Sequence, residues 1–180
     1  MTQTVDGAGG RAIELTLTVN GQPVRRLAAA HTSLLQWLRE AVGVTDPKYG
    51  CGEGVCGACA VLLDGEPVSS CIVLAAQVAG AAVTTASGLL APDGSLGVLQ
   101  RHFHERHAAQ CGFCTPGMLV AAAALVATGR RHTRAEIREA LHGNLCRCTG
   151  YGPIVDAIEA AEDDPALGRG LATSDEGPGR

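Results

Sequence analysis

Apolar and polar residues alternate near the start of the chain, with Ile13, Leu15, Leu17 and Val19 separated by Glu14, Thr16 and Thr18. A period of two places one apolar strand face against a core. Asn20-Gly21 follows at once. That dipeptide accepts the positive φ angles of a tight hairpin, so Gln22–Ala28 is expected to return as a second strand. The period then becomes helical: Leu34, Leu35, Leu38, Ala41 and Val42 share a face, with Thr32 or Ser33 as cap and Gly43 as stop. Ala60–Leu63, Asp64-Gly65 and Glu66–Ser70 spell a second hairpin.

Two hairpins and one helix predict a small α+β roll of the ferredoxin-like, ubiquitin-related (β-grasp) type. The Ala-rich stretch Cys71–Leu90, interrupted by Gln77 and Gly80, is expected to add a buried strand or two. Ala91-Pro92-Asp93-Gly94-Ser95 is the strongest loop signal and the expected domain boundary. Beyond it the pattern predicts four helices. One covers Leu96–His107, and a second starts at Thr115 with Pro116 in its first turn. A third is capped by the Thr133/Glu136 box and stopped by Gly143, and a fourth runs from Pro153 to about Glu162. The expected division is a flexible N-terminus (1–12), a ferredoxin-like domain (13–90), a four-helix domain (91–162) and a flexible C-terminal tail (163–180) rich in Gly, Asp, Pro and Ser.

Composition sharpens this picture. Among 180 residues the aromatic rings are Trp37, Tyr49, Phe103, Phe113 and Tyr151 alone, so large rings cannot dominate two small cores. Domains short of core often depend on metal. A net charge of -4 gives no basic footprint for nucleic acid or an anionic membrane. Met1–Gly10 lacks the cationic start and apolar run of a secretory signal, and Arg25-Arg26 falls inside a predicted strand rather than before an apolar run. The longest apolar run, Met118–Ala127, has ten residues, too few to span a bilayer. A cytoplasmic setting with no membrane span is expected. In a reducing compartment eight cysteines point to metal or redox chemistry rather than disulfides.

Cys51, Cys56 and Cys59 have the spacing C-x4-C-x2-C, with Cys71 as a distant fourth, which is the plant-type [2Fe-2S] ferredoxin pattern. The glycines between them give a loop freedom to turn its amides toward sulfur. Zinc also accepts four thiolates, but its sites usually pair two short C-x2-C knuckles. Gly52-Glu53-Gly54-Val55-Cys56-Gly57 matches the G-x-G-x-x-G dinucleotide fingerprint formally, yet no strand leads into it and no helix opens from it. Cys111 and Cys114 form C-x2-C, while Cys146 and Cys148 form C-x-C, two predicted helices later. Spacing makes these a four-thiolate metal site at helix ends, with iron–sulfur favoured and zinc left open. The helix near Thr115 would aim its positive end at the site.

Three segments say more: Lys48-Tyr49-Gly50-Cys51-Gly52-Glu53-Gly54-Val55-Cys56-Gly57-Ala58-Cys59, Gln110-Cys111-Gly112-Phe113-Cys114-Thr115-Pro116-Gly117-Met118 and Gly143-Asn144-Leu145-Cys146-Arg147-Cys148-Thr149-Gly150-Tyr151. Together they resemble the iron–sulfur small subunit of the molybdenum hydroxylases, which include xanthine and aldehyde oxidoreductases and aerobic carbon monoxide dehydrogenase. The resemblance runs from about Ile13 to Glu162, with no departure at the eight cysteines. It implies a plant-type ferredoxin-like domain holding one [2Fe-2S] cluster on Cys51, Cys56, Cys59 and Cys71, nearer a flavin. It implies a second cluster on Cys111, Cys114, Cys146 and Cys148, in a four-helix domain nearer the molybdenum.

Gln110 and Cys148 match the family positions that contact molybdopterin. The implied function is electron transfer from molybdopterin, in its cytosine dinucleotide form, in a large subunit to FAD in a medium subunit or to another acceptor. The implied assembly is a dimer of heterotrimers. This chain would be part of an oxidoreductase but carry no substrate site or catalytic residue. A free-standing ferredoxin and a zinc-stabilised interaction module are the rival readings. His102, His104 and His107 with Glu105 nearly form an H-E-x-x-H motif, one residue short, and a solvated helix surface is expected there.

Overall fold

The computed structural model describes residues 4–5 and 11–167. Thr4–Val5 (β1), inside the segment expected to be flexible, pairs with the start of β2 (Arg11–Val19), Thr4 opposite Ala12. Gly7–Gly10 lies outside the described residues. β2 and β3 (Gln22–Ala29) form the predicted hairpin, with Val19 opposite Gln22 and positive φ at both Asn20 and Gly21.

Helix α1 (Leu34–Gln36) is capped by Ser33, whose Oγ accepts from the Gln36 amide at 3.1 Å. The chain then winds on as a wider π-helical segment, Trp37–Val42, closed by Gly43 at φ 86°. Apolar spacing located this element but could not foretell its wider winding. The second hairpin, β4 (Ala60–Leu63) and β5 (Glu66–Ser69), turns at Asp64-Gly65, both at positive φ.

The stretch expected to supply a buried strand or two supplies one short strand, β6 (Ala82–Thr84), between 3-10 turns at Ala75–Val78 and Ala86–Leu89. Its backbone groups go elsewhere. The Leu34 N–H at the start of α1 donates to Val73 O, the Ala75 N–H donates to Thr32 O, and Gly80 breaks the run at φ 88°. β6 runs parallel to the end of β2 and antiparallel to β4, which makes the sheet mixed.

Four helices follow: α2 (Val98–Glu105), α3 (Thr115–Val126), α4 (Arg134–Ala140) and α5 (Gly152–Glu162). The Thr133/Glu136 capping box forms as predicted, with each residue's side chain accepting the other's backbone N–H. α4 ends at Ala140, short of Gly143, and α2 is shorter at both ends than its apolar spacing suggested. No helix among the described residues is long and apolar enough to cross a membrane.

The two halves share β4. Val61 is buried with Leu15, Leu17, Leu34, Trp37 and Leu38 under the sheet. Ala60 and Leu62, on the opposite face, are buried with Met118, Val120 and Ala122 of α3 and with the rest of the helical core. A strand buried on both faces reads as a continuous apolar run, and Ala60–Leu62 is one.

One expectation about the helical half is corrected. His102 is not on a solvated face: it is 8% exposed, and its Nε2 lies 2.9 Å from Asp164 Oδ2. Burial follows from α2 packing on α5, a contact that helical spacing alone does not orient. Asp164, in the expected tail, also pairs with Arg101 of α2, and Asp163 pairs with Arg131. The remainder of that tail, 168–180, lies outside the described residues.

Candidate functional site: two sets of paired thiols

The eight cysteines come together in two groups, and within each group they meet in pairs. In the first, the Cys51 and Cys56 thiols are in contact, and so are those of Cys59 and Cys71. In the second, Cys148 Sγ lies 3.6 Å from Cys111 Sγ, and Cys114 meets Cys146. All eight are free thiols. Among the described residues no three donor side chains gather as a single metal ion would require. A tetrahedral zinc site draws four sulfurs around one point. A binuclear [2Fe-2S] cluster takes four cysteines, two on each iron. Two pairs per group fit the second donor set.

The first group hangs on a loop whose amides turn inward. The Cys51 N–H donates to Cys56 Sγ at 3.4 Å and the Glu53 N–H to Cys51 Sγ at 3.3 Å. The Glu53 amide, the Cys56 thiol and the Val55 amide together bring the Cys51 thiol down to about 6. Cys71 is pushed the other way, to about 11, by burial and by its contact with Cys59. Tyr49, Val55 and Ile72, all more than half exposed, form an apolar rim around this group.

The second group is assembled from helix ends. Cys114 precedes α3, where Thr115 Oγ1 is buried without a partner. Burial and the neighbouring Cys146 push the Cys114 thiol up to about 12. Burial acts on Cys146 in the same sense, but the Thr149 hydroxyl and amide and the Cys148 amide outweigh it and leave this thiol below its usual value. The Phe113 amide lowers Cys111, and contact with Cys111 raises Cys148. Each pair in this group therefore joins a lowered thiol to a raised one. Gln110, Cys111 and Cys148 are exposed, as are Phe113 and Leu145.

Asn144 and Tyr151, quoted in the motif but given no role from it, tie the groups together. The buried Asn144 side chain donates from Nδ2 to Gly57 O at 3.2 Å, and the Leu145 amide donates to Cys56 O at 2.9 Å. The Tyr151 hydroxyl donates to Asn144 O and accepts from the Cys146 amide, at 2.9 and 3.0 Å. Tyr151 holds φ at 67°, unusual for a non-glycine residue, to make this bridge.

Close backbone approach completes the contact. A Cβ on Gly117 would stand 2.1 Å from Gly57 O, and one on Gly57 would stand 2.5 Å from both Gly143 O and Asn144 Nδ2. No sequence signal oriented these glycines toward one another, because they belong to separate motifs.

Comparison with known proteins agrees with this geometry. Residues 17–87 match the family model described as "2Fe-2S iron-sulfur cluster binding domain", and residues 85–159 match the one described as "[2Fe-2S] binding domain". The chain is 47% identical to the caffeine dehydrogenase subunit gamma of Pseudomonas sp. (strain CBB1) over 150 residues, covering 81% of this chain and 89% of that one. It is 44% identical to the xanthine dehydrogenase iron-sulfur-binding subunit of Escherichia coli O157:H7, over 81% of this chain and 92% of the relative. The crystal structure of quinoline 2-oxidoreductase from Pseudomonas putida 86 superimposes with a TM-score of 0.84 at 43% identity, covering 89% of this chain and 98% of that chain. The β-grasp sheet, the helical half and this level of identity agree, and the chain belongs to the small iron–sulfur subunits of the molybdenum hydroxylases (the xanthine dehydrogenase and aldehyde oxidoreductase family), an electron-transfer subunit with two [2Fe-2S] domains.

Proposed function

We propose that Cys51, Cys56, Cys59 and Cys71 hold one [2Fe-2S] cluster and that Cys111, Cys114, Cys146 and Cys148 hold the other. The gathering of each set into two thiol pairs carries this assignment. Each cluster supplies a reversible one-electron carrier. The residues of the chain bind the thiolate set, turn amides toward it and shield it. The chain divides functionally at 91–95, with the ferredoxin-like part at 13–90 and the helical part at 91–162.

On this reading the chain relays electrons from molybdopterin, in the cytosine dinucleotide form, in a large partner subunit to FAD in a medium subunit. Three subunits assemble as a dimer of heterotrimers in the cytoplasm, where a reducing environment preserves thiolate ligands. Gln110 and Cys148 are the residues proposed to touch molybdopterin. Both are exposed, and Cys148 lies against Cys111, the neighbour of Gln110 in the chain. Phe113 and Leu145, in the same two segments, are exposed apolar residues for a partner to cover. The rim of Tyr49, Val55 and Ile72 suits the flavin side.

The test is purification with whatever subunits accompany the chain, followed by assay of iron, acid-labile sulfide, zinc, molybdenum and FAD. Dithionite-reduced protein is expected to give two distinct [2Fe-2S] resonances by electron paramagnetic resonance (EPR). Colourless protein containing zinc and no labile sulfide would overturn the cluster assignment. Two clusters in a chain that purifies alone, without molybdenum, would favour a free-standing carrier.

A further inference from the structure

The two groups of thiols receive their hydrogen bonds from different sources. Around Cys51 the donors are the backbone amides of Glu53, Val55 and Cys56 together with the Cys56 thiol. Around Cys146 a side chain takes part: Thr149 Oγ1 lies 3.0 Å from Cys146 Sγ, and the Thr149 amide lies 3.4 Å from the same sulfur. Apart from thiol–thiol contacts, Thr149 is the one side chain among the described residues seen to hydrogen-bond a cysteine sulfur.

As a cluster ligand Cys146 is a thiolate with no hydrogen to give, so the Thr149 hydroxyl is the donor of this bond. The Tyr151 amide donates to Thr149 Oγ1 at 3.2 Å. Tyr151 is in turn fixed by Asn144 O and the Cys146 amide. The hydroxyl is therefore held in place by groups that do not depend on its own rotation.

We propose that Thr149, by donating its hydroxyl hydrogen to Cys146 Sγ, raises the reduction potential of the second cluster and so sets it independently of the first. This rests on the assignment of Cys146 to that cluster. The oxidised cluster takes up one electron, delivered by the molybdopterin of the partner subunit. No bond is made or broken, and the proton stays on Oγ1. Reduction adds one negative charge that spreads onto the thiolate sulfurs, and a donor aimed at sulfur stabilises the more negative state. Thr149 is thus a positioning and tuning residue that touches a ligand, not a residue of the substrate chemistry.

The experiment is an EPR-monitored redox titration of the purified complex, in which the two cluster signals are followed separately. Thr149→Val removes the hydroxyl at nearly constant shape. It is expected to shift the reduction equilibrium of the second cluster about tenfold toward the oxidised form, or about 59 mV for a one-electron couple. The first cluster should keep its potential, and Thr149→Ser, which retains the hydroxyl, should restore the second. An unchanged potential in Thr149→Val, or an equal shift of both clusters, overturns the proposal. Thr149→Ala is the second hydroxyl-free variant. Loss of the second signal in both Val and Ala variants, with Ser intact, overturns it in favour of a role in assembly. Cys146→Ser separates this from the underlying assignment: if both signals survive that change with wild-type line shapes, the ligand assignment fails before the question of Thr149 arises.

Discussion

The loop of Cys51, Cys56 and Cys59 and the helix ends bearing Cys111, Cys114, Cys146 and Cys148 arrive at the same paired thiols by opposite constructions. The first is nearly continuous in sequence, and its sulfurs face backbone amides. Two short motifs far apart in the chain converge in the second, held by the side chains of Asn144, Thr149 and Tyr151. The surroundings differ in the same sense. Among the described residues, Glu14–Arg25 is the ion pair of the first half, whereas the helical half is laced by Arg101–Asp164, Arg130–Glu136 and Arg134–Asp156 and by the buried His132–Glu162 hydrogen bond. A site built from backbone withstands side-chain substitution, while one built from side chains can be tuned residue by residue and lost the same way.

The largest effect expected is loss of a proposed ligand. Cys56→Ser should abolish one of the two EPR signals and Cys146→Ser the other; loss of both from either change would show that the constructions are not independent. Next comes the backbone contact that joins them. Gly117→Ala forces a Cβ into the Gly57 carbonyl, and should cost about 3 kcal/mol, lowering the thermal midpoint by roughly 10 °C in calorimetry. A wild-type midpoint would mean the two loops can separate freely.

Asn144→Ala removes the buried side-chain donor to Gly57 O, which keeps only the Ala60 amide, and empties the space the side chain fills. A loss of about 2 kcal/mol is expected, with altered line shapes for both signals rather than one. Thr133→Ala removes a helix cap far from either site and should cost about 1 kcal/mol in urea denaturation with both signals unchanged.

Acid gives the finest discrimination. The Thr133 amide and hydroxyl and Arg130 hold the Glu136 carboxyl down at about 2, against a usual 4.5. Arg101, the Ala166 amide and His102 hold Asp164 well below the ordinary carboxylate range. A lowered carboxyl contributes its full stability above the unfolded-state pKa and loses it as the pH falls through the folded one. The helical half is therefore expected to weaken progressively between about pH 4.5 and 2. Far-ultraviolet circular dichroism should register this before fluorescence of the sole tryptophan, Trp37, which lies in the sheet core. Coincident transitions would erase the contrast.

The same contrast governs how much could be read from sequence. Both hairpins and the α4 capping box rest on short-range chemistry, and Asn20-Gly21, Asp64-Gly65 and Thr133/Glu136 carry it within a few residues. The C-x4-C-x2-C spacing points to a cluster loop for that reason, whereas Cys111, Cys114, Cys146 and Cys148 need their family likeness before an iron–sulfur set is preferred to zinc as the proposal for them. His102 looked like surface because helical spacing does not say which face meets α5. Cys71–Leu90 yields one short strand where one or two were expected, because apolar content does not reveal that Val73 and Ala75 bond to Leu34 and Thr32 instead of to a neighbouring strand. The approach of Gly57 to Gly117 spans two motifs, and no local pattern encodes a distance between them.

That approach bears on how the chain can be recombined. Gly57, Gly117 and Asn144 come from three segments that are far apart in sequence, yet each fits only against the other two. A chimera that takes its ferredoxin-like part from one relative and its helical part from another inherits a workable joint only if all three positions travel as a matched set. The seam for domain exchange is thus drawn by a three-residue lock rather than by the loop at Ala91–Ser95, however inviting that loop is as a place to cut.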